Sequence, residues 1–273
     1  MCSAPHAAPS LAASGSILVL EPGAGWIQLA ARGVRSDRFF GAGGETHDLP
    51  AGTVSTGSVY LTGAVGLVRG IELWAQVPVH HLRVVDPAQA RNRTGIGDPR
   101  LALRVGTELL GLSPRPVSLR IGLKAPGSDF PVDPRILPLT EGQLDYEIAA
   151  ELGTPIWSDR LYVVGWAGYR WRTEDTSTGR EPGDERFAHL ALGTRLGSAR
   201  MELAIEAMDG IGPIQNGVSL PASARRLVQI NPSVGWVVGR GRLEAGAQIP
   251  VSGRNLPTGT ALSLGYLVAW GGR

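Results

Sequence analysis

The sequence predicts an all-β chain that closes into a transmembrane, antiparallel, up-and-down β-barrel of about twelve strands. Three observations lead there. Side-chain character alternates with period two along most of the chain, and the 3.6-residue period of a helix is hard to find. The connections between alternating runs are long and short by turns. The apolar sides of the runs are rich in Ala, Gly, Leu and Val, too small to fill the interior that twelve strands would enclose. A soluble barrel hides its apolar face, so turning that face outward to lipid removes the difficulty.

Taken in order, the runs are 26–39, 54–68 and 70–84, then "LALRVGTEL" at 101–109. In that stretch Leu101, Leu103, Val105 and Leu109 alternate with Ala102, Arg104, Gly106 and Glu108. "VSLRIGLKA" at 117–125 sets Ser118, Arg120, Gly122 and Lys124 on one face. "LDYEIAAEL" at 144–152 sets Asp145, Glu147 and Glu151 opposite Leu144, Tyr146, Ile148 and Leu152. The runs 161–173, 187–196, 200–207, 226–238, 242–249 and 261–270 complete the set. About ten residues each, they match the 9–11 that cross a bilayer with tilt.

The short connections ("RG", "GLSPR", "WSDR", "GSAR", "GRG") read as tight turns. The long ones, at 41–53, 85–98, 126–143, 174–186, 208–225 and 250–260, are polar and rich in Gly, Pro, Asp and Thr. In a meander every second connection lies at the same end, which predicts short periplasmic turns and long extracellular loops. Pro78, Pro155, Pro232 and Pro250 lie in or near strands, and a closed barrel has no edge to tolerate them. Bulges are the expected accommodation.

Composition excludes several classes. Hydrophobic residues make up 43%, which argues against disorder, and no run approaches the apolar length of a membrane helix. The net charge is only +2 and no basic run interleaves with aromatics, so a nucleic-acid partner has no support. The single Cys2 forbids an internal disulfide or a cysteine-built metal site. It follows Met1 in an Ala/Pro-rich stretch, so residues 1–14 read as a flexible leader and 15–273 as the barrel. No secretory signal peptide is recognisable in the chain as written.

Parity assigns the candidate functional residues. An Arg on the lipid side near the midplane costs about 2–4 kcal/mol, so the charged faces belong in the lumen. There they form a ladder of Arg104, Glu108, Arg120, Lys124, Asp145, Glu147, Glu151, Arg170, Arg172, Arg195, Glu202, Glu206, Arg242 and Glu244, joined by Arg32, Glu72 and Arg200. Opposite charges on neighbouring strands pair across a ladder, which satisfies a polar wall, and a few such charges can also form a selective constriction. Trp74 and Trp166 fall on the same side, where they could stack a flat solute or fill space. In "RLYVVGWAGYRWR" (160–172), Tyr169 and Trp171 point to lipid near the long loops. With Trp26, Trp157 and Trp270 at the short-turn end, they form the two interfacial belts expected of a barrel.

Enzyme signatures are absent: no GxSxG, GxGxxG, P-loop or HExxH occurs. His80 and His81 are adjacent and point to opposite faces, and no Ser–x–His pair shares a face. The loop acids Glu174, Asp175, Glu181, Asp184 and Glu185 read as solvated before they read as a cation site. No catalytic residue, metal or cofactor is expected; the expected partners are outer-membrane lipid and a small-molecule solute.

Four segments, "GIGDPRLALRVG" (95–106), "LKAPGSD" (123–129), "EGQLDYEIAAELG" (141–153) and "GWAGYRWR" (165–172), occur in an order that resembles one family of barrels. It is the outer-membrane family of the meta-pathway phenol degradation type, described as transporters. The likeness is clearest over 95–172, and "LKAPGSD" departs from the Pro-Thr-Gly-Asp expected there. The resemblance implies a Gram-negative outer-membrane channel passing small molecules, aromatic or apolar compounds among them. The other expectation is a closed barrel that acts through its loops.

Overall fold

The structure, a computed structural model, describes residues 19–49, 52–87, 89–111, 117–128, 136–157 and 160–271. The leader assigned to 1–14, with Cys2, lies outside them. The strands are β1 (Gly25–Ser36), β2 (Thr53–Val68), β3 (Ile71–Val85), β4 (Ala90–Ile96, resuming as Arg100–Gly106), β5 (Val117–Lys124) and β6 (Asp145–Trp157). They continue as β7 (Leu161–Arg172), β8 (Glu185–Leu196), β9 (Ala199–Gly210), β10 (Arg226–Val238), β11 (Gly241–Arg254) and β12 (Ala261–Trp270). Each pairs antiparallel with the next, and β1 pairs with β12. Twelve staves therefore close the barrel, and among the described residues the Ala90–Ile96 part of β4 is paired on one side, with β3.

Alternation is inside-out relative to a soluble protein. Along β3, Glu72, Trp74, Gln76, His80 and Leu82 are buried, while Val77 and Val79 between them are exposed. On other strands Leu29, Leu192, Leu203 and Leu264 are each more than half exposed on the outer face. Along the membrane-spanning part of the strands burial means burial in the lumen, and the apolar exterior is the face that such a barrel turns to lipid.

Tight connections sit at one end. Arg69–Gly70, Gly197–Ser198 and Gly239–Arg240 each close a two-residue turn, with φ of +81°, +61° and +60° at the glycines. Turns that match strand twist require that left-handed backbone. The opposite end carries two small covers. Arg38–Phe40 pairs with Thr46–Asp48 and Leu256–Thr258, and Ile214–Gln215 pairs with Arg180–Glu181 and Val218–Ser219.

The four prolines lie at interruptions of the ladder. Pro78 faces the break in β4, where Gly97 donates its N–H to the Pro78 carbonyl. Pro155 and Pro250 flank register shifts, and β10–β11 pairing lapses at Asn231 and Pro232. A residue without an N–H is tolerated where the ladder already skips a rung.

Three expectations about elements are corrected. The supposed long loop 85–98 is mostly strand, because β3 and the first half of β4 continue past the barrel rim as a hairpin turned at Asp86–Gln89. The run 144–152 extends to Trp157. Strand β4 ends at Gly106, so Glu108 lies in a 3-10 turn (Thr107–Leu110) and not in a strand; its side chain is outside the described residues.

Candidate functional site

The lumen has two unlike halves. Along β4 to β7, joined by Glu72 of β3 and Glu185 of β8, long charged side chains point inward and interlock. Arg104 and Arg120 stand directly opposite each other across β4 and β5, a repulsive placement. Glu151 resolves it: one carboxylate oxygen accepts Arg104 Nε at 2.6 Å and the other pairs with Arg120 Nε at 2.8 Å. Ser118 also donates to Glu151, Arg104 reaches Glu72 at 2.9 Å, and Arg120 reaches Glu147 at 2.8 Å.

From Glu147 the network passes to Arg170 at 2.9 Å, then to Glu185 at 2.8 Å, which also takes Arg172 at 2.9 Å and Arg225 at 3.1 Å. Near the long-loop end Glu141 joins Lys124 at 2.7 Å and Arg172 at 2.6 Å, and Lys124 also holds Asp98 and Asp145. Burial by itself would raise the Glu141 carboxyl, but the Arg172, Lys124 and Arg225 cations hold it well below the usual carboxylate range. Its folded value is depressed, so its contribution is complete above the ordinary glutamate value of about 4.3 and is lost only as pH falls below it. Limited proteolysis of the 125–144 connection should therefore be unchanged from pH 7 to 5 and accelerate only at stronger acidity. Loosening already between pH 7 and 6 would contradict this linkage.

The second half, β9 to β12 with β1, is paved with small residues. Gly235, Ser233, Gly246, Ser263 and Gly265 face inward between sparser polar groups. Arg200 pairs with Glu202 at 2.8 Å and donates Nε to the Tyr162 hydroxyl; Arg242 pairs with Glu244 at 2.7 Å. Gln28 donates to Glu244, Arg32 to Gln248, and both Gln229 and Asn231 to Glu206. Because these side chains do not meet across the barrel, a cavity of about 90 Å³ remains, bordered by Arg32, His189, Arg200, Glu202 and Glu244.

At the short-turn end the chain before β1 folds into the lumen. Leu20 donates its N–H to Glu72 at 3.1 Å and packs on the cluster of Trp26, Ala64, Trp74, Ala102 and Leu267. Gly66 permits this approach, since a Cβ there would lie 2.2 Å from the Glu21 carbonyl oxygen.

Several expected roles change. Trp26 is 3% exposed and points into the lumen, so it is not a membrane-interface aromatic. Trp157, Tyr169, Trp171 and Trp270 do point outward, together with Tyr146, Trp236 and Tyr266. Trp74 packs within the Trp26 cluster, is 4% exposed, and borders a cavity of about 30 Å³ beside Arg100, Arg120 and Lys124. Trp166 is covered on one face by His189, with ring centroids 3.7 Å apart and planes within 4°. Arg195 stands over the Tyr162 ring at the short-turn rim.

Loop acids also acquire partners. Glu185 is the first residue of β8 and belongs to the lumen network. Asp184 accepts from the Tyr169 hydroxyl and the Arg172 N–H, and Asp175 caps its own turn through Ser177 and Thr178. Asp98, Glu141 and Arg225, in connections, could not be read from strand parity. Nor could the pair of Ser58 and His80, whose side chains hydrogen-bond at 2.8 Å. Both are buried, at 4% and 1% exposure, and a nucleophile needs substrate access that this pair lacks.

An antiparallel barrel with leucine outside and ion pairs inside is a transmembrane barrel of the outer-membrane type. The chain belongs to the family described as "Putative MetA-pathway of phenol degradation", which matches residues 28–266. Among solved structures it is similar to an outer membrane channel from Pseudomonas putida F1, with a TM-score of 0.76 at 15% identity, covering 94% of this chain and 98% of that one. BamA from Haemophilus ducreyi lacking POTRA domains 1–3 superposes only weakly, with a TM-score of 0.36 at 10% identity over 90% of this chain and 71% of that one. No curated protein matches the sequence.

Proposed function

We propose that the protein is a channel of a Gram-negative outer membrane, giving small molecules passive passage along the Gly/Ser-paved side of its lumen. The observation that carries this reading is the asymmetry of the interior. One half is crossed by interlocked ion pairs and leaves a cavity of only about 30 Å³, while the other leaves the cavity of about 90 Å³ bordered by Arg32, Arg200, Glu202 and Glu244. The family's association with phenol degradation and the likeness to an outer membrane channel agree with it. In this reading the ion-paired half is scaffold and the charges of the open half set selectivity.

Single-channel recording of refolded protein in a planar bilayer tests it. Steady, ion-selective steps are expected, and Arg32→Ala should shift the reversal potential toward cation preference. Glu147→Gln, in the interlocked half, should shift it less. A heat-modifiable, folded barrel that never conducts would overturn the channel reading.

A further inference from the structure

A cavity of about 330 Å³ lies between the two loop covers at the long-loop mouth, separate from the lumen cavity. Phe39, Leu49 and Leu256 wall it from one cover, and Ile211 from the connection beneath the other. Arg180 and Arg225 line it as well, as does Glu185, whose carboxylate is paired with Arg170, Arg172 and Arg225. Leu49 and Leu256 are almost wholly buried, so part of the apolar wall is built into the fold and is not open surface.

The two arginines differ in their engagement. Arg225 is paired with Glu185 and Glu141. Arg180 is half-buried, and among the described residues its guanidinium makes no hydrogen bond or ion pair. The neighbouring anions are spoken for: Glu141 and Glu185 hold Lys124, Arg170, Arg172 and Arg225, and the Asp175 carboxylate accepts from Ser177 and Thr178. Burial first, and then the Arg225 cation, disfavours the Arg180 charge. A guanidinium carries five donors in a planar fork that suits a carboxylate.

We infer that this cleft binds a small monocarboxylate with an apolar ring or chain, the carboxylate on Arg180 and the apolar body against Phe39, Leu49, Ile211 and Leu256. The site deepens the channel reading, since it lies at the mouth through which a solute would enter. The volume is at the lower bound of small-molecule sites, which suits an acid the size of benzoate.

Isothermal titration of the folded, detergent-solubilised protein with benzoate tests the inference without requiring conduction. Wild-type protein should bind benzoate more tightly than its uncharged counterpart benzyl alcohol. Arg180→Met should weaken benzoate roughly ten- to a hundredfold and leave benzyl alcohol unchanged, the loss expected of a charge-assisted contact. Arg180→Lys should restore part of the difference, and heat modifiability on gels verifies folding of each variant. Equal benzoate affinity in wild-type and Arg180→Met protein would overturn the inference. So would displacement of benzoate by inorganic phosphate as effective as that by hexanoate, because the apolar walls would then contribute nothing. Benzoate binding by a barrel that never conducts would sink the channel reading alone, and conduction without benzoate binding would sink the carboxylate site alone.

Discussion

Glu151→Leu should destabilise the folded barrel by about 3–5 kcal/mol, the largest loss expected of any single change in the lumen. Glu151 is 4% exposed and is the shared anion between Arg104 and Arg120, which face each other on adjacent strands. Leucine fills the space and removes the shared charge, leaving two buried, mutually repelling guanidiniums with one carboxylate each, Glu72 and Glu147, and Ser118 short of an acceptor. Removing one repelling partner as well should help: Arg120→Met/Glu151→Leu should recover more than half of the loss. Urea titration in detergent, followed by the gel shift of heat-modified protein, reads both values. A single variant within about 0.5 kcal/mol of wild type would mean that the network is a solvated surface, as exposed ion pairs are.

Ile205→Arg should cost about 2–4 kcal/mol in lipid, because Ile205 sits mid-strand on the outer face of β9, 52% exposed to what is bilayer in the membrane. Ser233→Arg on β10, also mid-strand and facing the open half of the lumen, should change stability little, since the new charge meets water and Glu202. Unfolding in vesicles compares the two. The penalty should shrink in detergent micelles, which adapt to a charge as a bilayer does not. Equal effects of the two substitutions would refute the outward assignment of the apolar face.

Much of this was legible from side-chain type alone. The face carrying Arg104, Arg120 and Lys124 could be separated from the face carrying Leu103, Ile121 and Leu123 because a strand has a period of two and a lipid face excludes arginine. The same logic extends backwards from His189 and Phe187 to Glu185, which shares their parity; only the early placement of a loop boundary hid it. Trp26 shows the limit. Its parity matches the lumen residues Gln28 and Ala30, yet its position near a strand end suggested an interfacial belt. Whether a terminal Trp turns to the headgroups or into the lumen depends on what else fills that end. Here Leu20 and Trp74 provide the inner surface.

Ser58 and His80 show why register escapes a single sequence. A regular turn at Arg69–Gly70 continues the Val68↔Ile71 pairing and would set Ser58 opposite His81. A bulge between Gly66 and Val68 shifts the ladder by one residue and sets Ser58 opposite His80 instead. One extra residue thus decides which histidine meets the serine.

The sequence by itself determined the strand number, the outward apolar face, the end that carries tight turns and the charge of each lumen strand, because each follows from local periodicity and from the transfer cost of charge into lipid. Only the tertiary structure decided which charges meet, which half of the lumen stays open and where Arg180, among the described residues, is left without an ion-pair partner. Those outcomes depend on strand stagger, bulges and the folding-in of loops around a closed ring, and such through-space relations leave no local period to read.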